Sequence, residues 1–83
     1  MSGEVLILCK PCLNEKLKKR FKLEDEAVRF FSVISEAIES FKKKKPNFIV
    51  VDTENFERGR IIFSRLIKKM ETRTTTIVDY NES

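Results

Sequence analysis

The stretch 42–52, KKKKPNFIVVD, decides the fold. Phe48, Ile49, Val50 and Val51 form a continuous apolar run closed by Asp52. The run is too short for a helix, and its unbroken, β-branched character is that of a strand buried on both faces, as in a parallel sheet covered by helices. The four lysines in front of it put positive charge at the C-terminus of a preceding helix, where the macrodipole favours it. Pro46 then obliges that helix to end.

Working outward toward the N-terminus, Val5, Leu6, Ile7, Leu8 and Cys9 make a second such run and a first strand. Pro11 and Asn14 punctuate the chain, and Leu13, Leu17 and Phe21 recur every four residues on a basic helix expected at about 13–23. Residues 27–33, AVRFFSV, are dense in β-branched and aromatic side chains and read as a second strand, with one helix through 24–44 as the competing reading. Ser35 is the expected N-cap of the next helix, whose apolar stripe is Ala37, Ile38 and Phe41.

Toward the C-terminus, Ile61, Ile62, Leu66, Ile67 and Met70 fall at helical spacing and predict a third helix over about 57–71. Residues 74–78, TTTIV, then read as a fourth strand. Strands alternating with helices call for right-handed crossovers and an α/β fold with a parallel sheet, here expected as one domain over 1–83.

Composition bounds the function. The chain has 83 residues, 41% hydrophobic and 36% charged, which suits a thin-cored folded domain with a heavily charged surface. Abundant Lys and Glu with no His or Trp also lean toward the composition of thermophilic proteins. The net charge of +4 is clustered in Lys16, Lys18, Lys19, Arg20, Lys22 and the run 42–45. Such clusters attract phosphates or acidic partners, but no aromatic or Arg-Gly pattern accompanies them, so nucleic acid is the less favoured partner and solvated helix surface the plainer reading. No apolar run approaches the ~20 residues of a membrane span and the start lacks a signal-peptide layout, so a cytoplasmic protein with no membrane partner is expected.

The order β-α-β-α-β-α-β, with KKKPNFIVVD leading into an acid at a strand's tip, resembles the receiver domain of bacterial response regulators in two-component signalling. The resemblance covers about two-thirds of a receiver and is carried best by AVRFFSVISEAIESFKKKKPNFIVVD. It implies a flavodoxin-like strand order of 2-1-3-4, with the crevice at the C-terminal tips of the first and third strands. It also implies that Asp52 occupies the phosphoacceptor position and that Cys9, Lys10 and Glu54 share its crevice.

Departures from that family decide the functional expectation. Receivers hold Mg²⁺ with an acidic pair just after the first strand, because a hard cation wants oxygen ligands. Here that stretch is Cys9, Lys10, Pro11 and Cys12. The family's fourth-strand Ser or Thr falls near Asp79 or Tyr80, and its fifth-strand lysine has no counterpart. The expectation is a degenerate receiver that works as a non-catalytic interaction module, binds no metal or cofactor, and leaves Asp52 unphosphorylated. Lys10 is placed to pair with Asp52, and the plainer role for Asp52 is a loop acid capping the third helix. Covering the apolar surface that the absent elements would bury predicts a homodimer. The expected output surface is the fourth strand's edge and the third helix, where Arg58, Arg60, Arg65 and Lys68 meet an acidic partner.

Cys9-Lys10-Pro11-Cys12 supports a second reading, a thioredoxin-like thiol-disulfide protein. It follows a strand and precedes a helix, and both the helix N-terminus and Lys10 would favour a thiolate. Neither Pro11 nor Pro46 is placed as the cis-proline of that fold, and Cys9 lies in an apolar run. Two cysteines are half of a structural zinc site, which a second chain would have to complete.

Overall fold

The structure, a computed structural model, describes residues 4–70 and 75–80. β1 (Val5–Leu8), β2 (Val28–Phe31), β3 (Phe48–Asp52) and β4 (Thr76–Tyr80) form one sheet in the order β2-β1-β3-β4. Every neighbouring pair is parallel, with Val5 opposite both Val28 and Phe48, and Asp52 opposite Tyr80. The fold is α/β with the flavodoxin-like order 2-1-3-4. The competing helix through 24–44 does not form, because Phe30 and Phe31 pair with Ile7 and Leu8.

Alternation along each strand sorts the core into two layers. Leu6, Leu8, Ile49 and Val51 face α2 (Ile34–Lys43) and α3 (Glu57–Lys69), burying Ala37, Phe41 and Phe63 between them. The Phe41 and Phe63 rings meet edge to face, 5.8 Å apart at 74°. A Cβ on Gly59 would lie 2.8 Å from Leu8 Cδ2, so the missing side chain is what lets α3 approach β1 this closely. Val5, Ile7, Cys9, Val50 and Tyr80 face the other way, toward Leu13 and Leu17 of the segment that carries α1 (Asn14–Arg20).

Several boundaries differ from the sequence reading. A 3₁₀ turn, Pro11–Leu13, precedes α1, and the helix stops at Arg20. Lys22 adopts φ 52°, and the N–H of Leu23 donates to the Lys18 carbonyl at 2.9 Å, which is a Schellman ending with lysine where glycine is usual. β2 is shorter than 27–33 at both ends: Ala27 closes a 3₁₀ turn, and Ser32 and Val33 turn into α2.

Ser35 is not the N-cap of α2. That position falls to Val33, which makes no side-chain capping bond. The Val33 carbonyl already accepts the Ala37 N–H at 3.1 Å, so the helix starts at Ile34, which packs on the core. β4 runs to Tyr80, two residues beyond the expected 74–78, and Thr74 lies outside the described residues. Residue 71, the expected end of the third helix, does as well. Among the described residues no helix is long and apolar enough to cross a membrane.

Candidate functional site

Parallel strands bring all their C-terminal ends to one edge of the sheet, and Cys9 and Asp52 meet there. Leu8 lies opposite Val51, so the next residue of each strand carries Cys9 alongside Asp52, both on the α1 face by alternation. The Cys9 N–H still donates to Phe31 O at 2.9 Å, holding the residue in line with β1 and β2.

Cys9 is 1% exposed, and its thiol donates to Asn14 Oδ1 at 3.3 Å. Burial, then the Asp52 carboxylate, then Cys12, push that thiol up to about 11. Cys9 is therefore a protonated thiol at neutral pH, and a poor nucleophile, since the thiolate is the reactive form. Cys12 is exposed in the turn Pro11–Leu13, and both cysteines are free. A small cavity of about 60 Å³ beside Cys9 is lined by Pro11, Asn14, Phe30, Phe31 and Ser32.

Asp52 is fully buried. Its Oδ2 accepts from Asn55 Nδ2 at 2.7 Å, while its buried Oδ1 has no hydrogen-bond partner among the described residues. The Asp52 carbonyl accepts the Phe56 N–H at 2.8 Å, closing the turn into α3. Asp52 does not cap α3: Phe56 holds the N-cap position without a side-chain bond, and the carboxylate is spent on the Asn55 side chain.

Lys10 is exposed and forms no ion pair with Asp52, because it sits in the turn leading out of β1 while Asp52 lies beneath the surface. Glu54 is likewise exposed, one turn position beyond Thr53. The structure thus brings Cys9 and Asp52 together and leaves Lys10, Cys12 and Glu54 in solvent. Asn14 and Asn55, the actual partners of the buried pair, were not candidates from sequence. The only hint was their placement, each within a few residues of the group it serves. Among the described residues, no cluster of three or more His, Cys, Asp or Glu side chains is arranged to hold a metal ion.

On the opposite layer Arg58, Arg65 and Lys68 are exposed along α3. Arg60 is tied to β4 through Asp79, Nε to Oδ2 at 2.8 Å. Comparison of the chain with protein-family models, with curated proteins and with solved structures finds no match.

Proposed function

We propose that this chain is a non-catalytic, receiver-like interaction module of a cytoplasmic signalling or regulatory system, in which Asp52 holds the acceptor position without being phosphorylated. The single observation that carries this reading is the state of Asp52, a carboxylate with no exposed surface, one oxygen held by Asn55 and a buried thiol for a neighbour. Phosphoryl transfer to a carboxylate needs in-line access and a cation to offset developing charge. The stretch after β1 that would supply the acids is Cys9, Lys10, Pro11 and Cys12, which holds no carboxylate.

The partner surface in this reading is β4 with α3. β4 stands at the end of the sheet order, so among the described residues one side of its backbone is open to a further strand. A second copy adding its own β4 would cover that edge in a symmetric dimer. The Arg60–Asp79 pair joins this edge to the basic face of α3.

The test is an amide correlation spectrum recorded before and after adding Mg²⁺ with beryllofluoride, an acyl-phosphate mimic. An unchanged spectrum is the expected result. Shifts centred on Asp52 and spreading into α3 would overturn the unphosphorylated reading. Light scattering at micromolar concentration tests the dimer, and a monomeric mass would remove the second copy from the proposal.

A further inference from the structure

The two faces of the sheet are covered unequally. α2 and α3, of 10 and 13 residues, lie on one face, whereas the 7-residue α1 lies on the other. Four strands spaced ~4.8 Å apart make a sheet about 14 Å wide, more than a single helix of ~10 Å diameter covers. Among the described residues, the part that α1 leaves uncovered is an open groove of about 210 Å³ lined by Val5, Phe21, Leu23, Phe48, Val50 and Val78. Phe48 remains 44% exposed in it.

The shape of this groove selects its occupant. Its floor is made of side chains from β1, β3 and β4, and its wall is the end of the α1 segment, Phe21 and Leu23. A sheet face offers no free backbone hydrogen bonds, so an added strand has nothing to pair with there. A helix lying across the floor instead presents apolar side chains at i, i+3, i+4 and i+7.

Charge selects further. Arg20 and Lys22 flank Phe21, and Lys45 stands just before β3; none of the three forms an ion pair among the described residues. The Arg20 guanidinium lies over the Tyr80 ring, 5.8 Å from its centroid. Of the nearby acids, Glu4 is committed to Lys44 and Asp25 to Lys18, which leaves Glu24 next to Leu23 and Glu26 in the turn that follows it. A second copy docked here about a two-fold axis would set Arg20, Lys22 and Lys45 against themselves.

We infer that the groove between the end of α1 and the β3–β4 floor binds one acidic amphipathic helix of a partner protein. This face is separate from the open edge of β4, so the inference stands apart from the dimer and from the fate of Asp52.

The experiment uses two labelled synthetic helices of about 18 residues, roughly five turns. They are identical in their leucine stripe and carry glutamate in one and lysine in the other. Fluorescence anisotropy should show the acidic helix binding at least tenfold more tightly than its basic twin, with the difference shrinking as salt screens the rim. Amide shifts should centre on Phe21, Leu23, Phe48, Val50 and Val78. Phe48→Ala and Lys22→Glu, both at exposed positions, should each weaken binding about tenfold, the scale of one lost anchor or rim contact.

Equal affinity for the two helices, no binding of the acidic one, or shifts confined to α3 and the β4 edge would overturn the inference. Shifts of the same groove residues on raising protein concentration alone would also overturn it, by assigning the groove to a second copy. A beryllofluoride response at Asp52 would leave it untouched.

Discussion

The Cys9 thiol donates a hydrogen bond to Asn14 Oδ1 at 3.3 Å, so the first cysteine of the Cys-x-x-Cys pattern is the buried one and the second is the accessible one. Dithiol chemistry of the thioredoxin kind needs the reverse, an exposed low-pKa thiolate at the helix N-terminus. In the folded protein at pH 8, iodoacetamide should modify Cys12 and leave Cys9 untouched, with mass spectrometry of the digested product reading the two sites separately. Rapid alkylation of Cys9 would contradict the burial.

The same thiol makes stability depend on pH. Its pKa rises from 9.0 to about 11 on folding, so the folded state holds the proton more tightly. Its contribution is fully present below pH 9 and is lost as pH rises toward 11, where the unfolded chain releases the proton first. The loss amounts to about 2–3 kcal/mol at the upper end. Urea titrations from pH 8 to 11 should show this decline in the wild type, with a shallower decline in Cys9→Ala.

Asp52→Asn should raise stability by about 1 kcal/mol, because it removes a buried charge whose Oδ1 lacks a partner among the described residues while an amide oxygen still accepts from Asn55. Chemical denaturation of the two proteins at neutral pH checks this. A clear loss of stability would mean that the carboxylate has a stabilising partner in solution.

Lys22→Gly should also stabilise, by about 0.5–1 kcal/mol, since φ 52° strains a lysine and suits glycine. The gain should appear as a higher urea midpoint with an unchanged slope.

Arg29→Ala should cost about 1–3 kcal/mol. Arg29 projects from β2 and donates to Ser40 Oγ at 2.6 Å and to the Lys44 carbonyl at 2.9 Å, placing its charge at the C-terminal end of α2. Thermal unfolding that leaves the midpoint unmoved would show this contact to be surface decoration.

β1 and β3 were legible because burial on both faces removes alternation and leaves unbroken apolar runs, and their parallel order followed from helices between them. β2 was read too long because Ser32 and Val33 carry no local mark of the turn into α2. The cap of α2 was misplaced because a serine in the first turn looks the same in sequence as one before it, and only the Val33–Ala37 bond decides. The end of α1 was missed because its turn uses lysine where glycine would have announced it.

The site was half legible. Its location at the strand tips followed from topology, as did the meeting of Cys9 with Asp52. The depth of Asp52 did not, because it depends on how the turn through Asn55 and Phe56 folds over it, and long charged side chains such as Lys10 give no warning that they will stay in solvent.

The place of β1 in the middle of the sheet has a consequence for biosynthesis. Val5 pairs with Val28 on one side and Phe48 on the other, and both partners are made after it. A chain emerging from the ribosome therefore carries its stickiest segment, VLILC, without a neighbour until β2 follows, and without its second until β3 is released. No local hairpin can shelter it in the interval, since every pairing in this sheet is a crossover. Interception by chaperones, or self-association of nascent chains, should concentrate in that window and fade once Val51 is free to dock.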